Sequence, residues 1–287
     1  EAVNSGADGI GLCRTEHMFL GDRLPVIRKV LTANDDKSRD IALKELIEIQ
    51  KQDFVRVLEP MDKKPVTIRL LDAPLHEFLE ETEEQNPMLG LRGVRLALTI
   101  ESLYRSQTKA VLAAVEQRLQ DGGSPEVEIM VPLVAIEEEL KIVLNWIREE
   151  TRKSSINIPL GTMIETPRGA LIAGQLAPHV DFMSFGTNDL TQMTFGFSRD
   201  DVEASVISEN ISKGILSESP FATLDQIGVG QLVEMAISAS KEKNPTIKIG
   251  ICGEHGGDPE SIRFLCRAGI DYVSCSPFRV PIARLAA

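Results

Sequence analysis

One repeated grammar limits what this chain can fold into: a short apolar, β-branched run that ends in polar or charged residues, followed by a stretch with helical spacing. The runs fall at Ala7–Glu16, Val66–Asp72, Val127–Leu133, Leu160–Thr166, Asp181–Asp189, Ile247–Glu254 and Asp271–Ser276. They are apolar on both faces, as strands buried in a parallel sheet require. Helical patterns separate them at Ile41–Leu58, Leu103–Leu119, Ile136–Thr151, Ala170–Leu176, Gly228–Lys243 and Pro259–Ala268. A weaker run at Gly93–Leu96 supplies an eighth strand. Eight strands alternating with helices predict an α/β fold, a (β/α)8 TIM-type barrel, with residues 1–287 forming one domain. An open doubly wound sheet is the competing fold, but there is no GxGxxG turn to support it. Two connections, Leu20–Asp40 and Ser198–Thr223, look long and irregular. The second is rich in Ser, Asp and Glu and reads as a candidate mobile loop.

The balance of 31 basic and 43 acidic residues leaves a net charge of −12. A surface of that sign disfavours nucleic acid or an anionic membrane as the main partner. A few arginines in a pocket can still hold an anionic substrate. No apolar run approaches the roughly 20 residues of a membrane span, and no signal peptide is visible. Cys13, Cys252, Cys266 and Cys275 are scattered with no CxxC pair, which fits reduced thiols in a cytoplasmic protein. The four histidines show no zinc-binding spacing, and His17, His76 and His255 are expected at loops or the rim, satisfied by neighbours. The chain opens at Glu1 without an initiator Met, so it reads as a fragment or a processed product.

In barrels the chemistry sits at the C-terminal ends of the strands. Those ends read Arg14, Arg69, Arg92 or Arg95, Glu165, Asn188–Asp189 and Cys252–Gly253–Glu254. The planar fork of arginine suits phosphate and carboxylate. Two carboxylates with open positions suit Mg²⁺, a hard cation that takes oxygen ligands. The set matches the needs of a small phosphorylated carboxylic acid. Each residue also has a plain structural reading. Arg14 and Arg69 could form rim salt bridges, and Asp189, with Gln192 three residues on, could cap a helix. Cys252 could be a small buried hydrophobe. Glu165 ends an apolar strand, and a carboxylate buried there needs a partner.

Taken as strings, the same segments are far more specific. Gly9–Phe19 (GIGLCRTEHMF), Ile68–Phe78 (IRLLDAPLHEF), Asn86–Arg95 (NPMLGLRGVR), Met163–Arg168 (MIETPR), Phe185–Gln192 (FGTNDLTQ) and Gly250–Pro259 (GICGEHGGDP) occur in this order. Together they resemble the C-terminal domain of the pyruvate phosphate dikinases, a branch of the phosphoenolpyruvate-utilising enzymes, over essentially the whole chain. Two relatives share the barrel, enzyme I of the sugar phosphotransferase system and phosphoenolpyruvate synthase. CRTEHMF, RLLDAPLHEF, FGFSRDD and GEHGGDP favour the dikinase. Leu91, Val94 and Ala73 depart from residues common in that family.

The resemblance implies Mg²⁺-dependent, reversible phosphoryl transfer between phosphoenolpyruvate and a histidine on a swivelling domain absent here, leaving pyruvate. Arg14 and Arg69 would grip the phosphoryl group, with Arg92 a third contact. Glu165 and Asp189 would hold Mg²⁺ and, through it, the substrate. Asn188, with the backbone of Gly186 and Thr187, would orient the substrate, and Arg199 would close over it. Cys252 would exchange the proton at the methylene carbon. A homodimer is also implied, and no ATP turnover is expected without the nucleotide domain. A Mg²⁺-dependent aldolase or lyase acting on oxo acids is the competing enzyme, and a ligand-binding and docking module the non-catalytic alternative.

Overall fold

Seven of the apolar runs become strands: β1 (Ile10–Arg14), β2 (Pro65–Arg69), β3 (Glu126–Val131), β4 (Leu160–Ile164), β5 (Phe182–Gly186), β6 (Lys248–Cys252) and β7 (Tyr272–Val273). The computed structural model describes residues 1–80, 82, 84–154 and 156–287. The strands form one parallel sheet in sequence order with helices between them, which is an α/β fold of the TIM-barrel type. By its contacts the chain divides into two compact units, one of residues 1–11, 134–137 and 161–287 and another of residues 12–133 and 138–160.

The expected eighth strand does not form. Gly93–Thr99 is instead a helix, α3. Its buried residues Val94 and Ala97 are three apart, while Leu98 is exposed. A run of only four residues cannot by itself distinguish strand from helix.

The unit that includes β2 and β3 is built on helices α1 (Leu24–Leu31), α2 (Asp36–Leu58), α3, α4 (Glu101–Gln120) and most of α5 (Glu137–Ser154). Helix α1 lies where an irregular connection was expected. Pro25 sits in its first turn, where a missing N–H costs nothing, and Val26, Ile27 and Val30 bury one face. Asp35 caps α2 by accepting from the Ser38 amide at 2.9 Å. Helix α4 buries Leu103, Tyr104, Ala110, Val111, Ala114 and Val115, together with the polar Gln107 and Thr108. Residues Pro65 to Arg69 of β2 pair in register with Glu126 to Met130 of β3.

The other unit carries β5, β6, β7 and nearly all of β4. Around them lie α6 (Pro167–Leu171), α7 (Ala173–Leu176), α8 (Thr187–Phe195), α9 (Arg199–Val202), α10 (Ser208–Ser212), α11 (Val229–Lys243), α12 (Pro259–Ala268) and α13 (Val280–Ala286). The single helix expected at Ala170–Leu176 is broken at Ile172 into α6 and α7. The segment Ser198–Thr223, expected to be irregular, contains α9, a wide helical turn at Glu203–Ile207, and α10. Every residue of β4 and β5 is buried, which explains why their sequences are apolar on both faces. Among the described residues, no helix is long and apolar enough to cross a membrane.

Candidate functional site

The register of β4, β5 and β6 sets out three of the expected residues in a row. Gly186 pairs with Cys252, and Ile164 pairs with Phe185, so Glu165 follows β4 beside Gly186. A Cβ on Gly186 would lie 2.7 Å from Glu165 Oε2 and 2.8 Å from its Cβ. Glycine is required here because the Glu165 carboxylate occupies the space a side chain would need. Glu165 is almost wholly buried, and Thr166 fixes the chain just after it. The Thr166 hydroxyl accepts from the Gly169 amide at 2.9 Å as the cap of α6, and donates to the Val134 carbonyl.

Helix α8 begins at Thr187, so Asp189 lies within its first turn and is not its cap. The capping role that the Gln192 spacing suggested fails because the helix starts three residues earlier than that spacing implies. A carboxylate in the first turn still benefits from the partial positive charge of the helix terminus. Gln192 donates to Asp189 Oδ1 at 3.4 Å. Glu165 and Asp189 offer carboxylate oxygens within 4.8 Å of each other.

The β6 end turns sharply. Gly253 has φ +114, which side-chain-bearing residues rarely adopt. A Cβ there would meet Thr187 Oγ1 at 2.9 Å and Asn188 Oδ1 at 3.1 Å. Asn188 Oδ1 accepts from the Glu254 amide at 3.2 Å, tying α8 to the turn. The Cys252 thiol is buried and donates to the Phe185 carbonyl at 3.5 Å. Arg199 sits at the start of α9. Its guanidinium lies 3.4 Å from Glu203, 3.8 Å from Glu254 and 5.7 Å from the centroid of the Phe221 ring.

In the other unit, Arg14 and Arg69 are the last residues of β1 and β2. Arg69 is buried, reaching Asp72 at 2.9 Å and Glu16 by a short ion pair. Arg92 is also buried and clamps Asp72 with two bonds of 2.8 Å. Burial alone would raise the Asp72 pKa. The charges of Arg69 and Arg92, the Arg92 hydrogen bond and the charge of Arg14 outweigh it, so this carboxyl titrates below its usual range. Two guanidiniums and two carboxylates therefore largely compensate each other. Arg14 differs: it is exposed, with no hydrogen-bond or ion-pair partner among the described residues. Its charge is available to an incoming anion. Arg95 points elsewhere, bonding the carbonyls of Leu89 and Gly90.

Reading the sequence did not single out Asp72, Glu16, Tyr104 or Gln107. The Leu71 amide donates to Gln107 Oε1 and its carbonyl accepts from the Tyr104 hydroxyl, both at 2.8 Å. Helix α4 thereby holds the backbone next to Asp72 from both sides. The available signal was a glutamine and a tyrosine three positions apart on a largely apolar helix face, since buried polar groups need partners.

Parallel strands in sequence order with helices between them define an α/β barrel of the TIM type. The whole of residues 1–287 matches the family described as PEP-utilising enzyme, PEP-binding domain, and the chain belongs to that family. A pyruvate, phosphate dikinase of Clostridium symbiosum is 48% identical over all of this chain and 36% of its own length. The chloroplastic pyruvate, phosphate dikinases of Mesembryanthemum crystallinum and Arabidopsis thaliana are each 47% identical over all of this chain, covering 34% and 33% of their own lengths. The chain thus spans about a third of the length of these relatives. A citrate lyase crystal structure from Burkholderia xenovorans covers 93% of this chain and 64% of its own at 14% identity, with a TM-score of 0.47, too low to bear on function.

Proposed function

We propose that this chain binds phosphoenolpyruvate and pyruvate at the C-terminal ends of its strands and performs the pyruvate half of the pyruvate phosphate dikinase reaction. The observation that carries the reading is the row Glu165, Gly186, Cys252 across three adjacent strands, with Asn188 and Asp189 opening the helix beside it. Near 47% identity to the dikinases over the full chain supports it.

In this reading Arg14 binds the phosphoryl group directly. Arg69 and Arg92, pre-oriented by Asp72, present further N–H groups to its equatorial oxygens. Phosphoryl transfer is mostly positioning and charge stabilisation, so a rigid guanidinium cluster is the expected apparatus. Glu165 and Asp189 would hold Mg²⁺, since paired carboxylate oxygens are the hard donors such an ion takes. When bound, the ion supplies Lewis-acid stabilisation of negative charge on the substrate's oxygens. Asn188 and the backbone at Gly186 and Thr187 orient the three-carbon acid, and Arg199 closes over it.

As a nitrogen–phosphorus bond forms on the histidine of a separate phosphohistidine domain, the phosphorus–oxygen bond at C2 of phosphoenolpyruvate breaks. The electron pair left on oxygen gives the enolate. Cys252 then delivers its Sγ proton to C3, completing pyruvate, and recovers a proton from solvent. A thiol that donates to a carbonyl, as Cys252 does to Phe185, carries the proton this direction needs. One barrel domain and a homodimeric assembly belong to the same proposal and rest on the likeness to the dikinases; cytoplasmic residence rests on the scattered cysteines, with no CxxC pair.

Calorimetry with phosphoenolpyruvate and with oxalate, a phosphate-free mimic of the enolate, tests the reading. Arg14→Met is expected to weaken phosphoenolpyruvate by about tenfold or more and oxalate by less than about threefold, as loss of a charge-assisted phosphate contact implies. Equal losses would remove Arg14 from the phosphoryl site.

A further inference from the structure

His255 takes no part in the mechanism above, yet it is fully buried at the turn that follows Cys252. Its Nε2 lies 2.9 Å from the Pro220 carbonyl. A carbonyl can only accept, so Nε2 carries a proton. Its Nδ1 lies 2.8 Å from Thr187 Oγ1, and the same hydroxyl lies 3.3 Å from the Cys252 carbonyl. Burial lowers the His255 pKa against the opposing pull of the Pro220 bond, Asp258 and Glu254, and the charge of Arg199 adds to the lowering. A neutral ring has one proton, already committed to Pro220. Nδ1 must then accept, and the single Thr187 hydroxyl proton goes to it at the shorter distance. The Thr187 rotor is thus set by His255.

Three segments meet at this ring. Thr187 opens α8, whose next two residues are Asn188 and Asp189. Pro220 precedes Phe221, over which the Arg199 guanidinium lies. Cys252 and Gly253 form the turn itself, close enough to Thr187 that a Cβ on Gly253 would come within 2.9 Å of its hydroxyl. We infer that His255 is a positioning residue for Cys252, with Nδ1 accepting from Thr187 and Nε2 donating to Pro220 so that the thiol is held at a fixed place relative to α8. The inference rests on the proposed role of Cys252 and adds a residue that sets its geometry.

The two ring bonds can be separated. A glutamine amide reaches the place of Nε2 and keeps a donor for Pro220 while losing the acceptor for Thr187. An asparagine oxygen sits near Nδ1 and keeps that acceptor. Solvent-deuterium exchange into the methyl group of pyruvate is measured on the chain with Mg²⁺, alongside oxalate affinity by calorimetry. His255→Gln and Thr187→Val are each expected to slow exchange by about tenfold, and His255→Asn by less than about threefold, the scale set by an unmade buried hydrogen bond. The double variant His255→Gln/Thr187→Val should be no slower than the slower single one, since both remove the same bond. Oxalate affinity should stay within about threefold in both His255 variants.

Equal slowing by Asn and Gln, an additive double variant, or oxalate affinity falling in step with exchange would each overturn the inference. If His255→Gln does not fold, His255→Asn against Thr187→Val still decides it, and a slow Asn variant beside a fast Val variant overturns it. Absence of both exchange and oxalate binding in the unaltered chain would instead sink the proposed function, and this inference with it.

Discussion

Replacing Asp72 by Asn keeps the shape of the side chain and removes its charge from between two buried guanidiniums. In the structure Asp72 accepts twice from Arg92 at 2.8 Å and once from Arg69 at 2.9 Å, with its side chain wholly buried. The asparagine retains one acceptor oxygen but turns an NH₂ group toward a cation. Glu16 still balances Arg69. Breaking one partner of a buried ion pair costs about 3–5 kcal/mol. For a chain of this size that corresponds to a melting temperature lower by roughly 6–15 °C, at about 2–3 °C per kcal/mol.

The pH dependence has a definite sign. The folded pKa of Asp72 is depressed, so its contribution to stability is complete above the ordinary carboxylate value of about 3.9 and is lost as pH falls through the lower folded value. The gap between wild type and variant should therefore be widest near neutrality and narrow in strong acid. Fluorescence of Trp146, the single tryptophan, reports the unit that holds Asp72. A neutral-pH loss below about 1 kcal/mol, or a gap that does not narrow in acid, would refute the view that Asp72 organises the arginines.

Gly186→Ala should destabilise by roughly 1–3 kcal/mol and weaken divalent-cation binding, because the new methyl group would overlap the Glu165 carboxylate; unchanged cation affinity would contradict this. Gln107→Leu should leave the Leu71 amide without its side-chain acceptor, costing about 1–3 kcal/mol and lowering phosphoenolpyruvate affinity, with urea titration and calorimetry as the readouts. The Cys13 pKa is pushed up to about 12, chiefly by burial and then by the charges of Glu16 and Asp53. Only about 0.01% of Cys13 would be thiolate at pH 8. Mass spectrometry after brief iodoacetamide treatment should find Cys13 unlabelled, and rapid labelling would contradict the raised pKa.

How far the sequence reveals this molecule depends on the range of the interactions concerned. Strands β4 and β5 were legible because a strand buried on both faces leaves an apolar run with no polar alternation. Gly93–Leu96 misled because four residues are too few to carry a period, and only the packing of Val94 and Ala97 makes them helical. Helix α1 was missed because its buried residues, Val26, Ile27 and Val30, span barely one turn. Asp189 looked like a cap because Gln192 has the right spacing, but the start of α8 depends on how the chain leaves Gly186. The strings around Arg69 and Arg92 marked them as functional, yet could not show that both would be paired to Asp72 across separations of 3 and 20 residues. His255 read as a rim residue because nothing local announces that Pro220 and Thr187 converge on it.

The central claim is that Glu165 and Asp189 place a divalent cation where a three-carbon acid binds. Titration of oxalate into the chain by calorimetry, once with Mg²⁺ and once with excess EDTA, tests it most directly, with Glu165→Gln as the paired variant. The account predicts binding that needs Mg²⁺ and is lost in Glu165→Gln while the variant remains folded. Oxalate binding of equal strength with EDTA, or in Glu165→Gln with Mg²⁺, would contradict it.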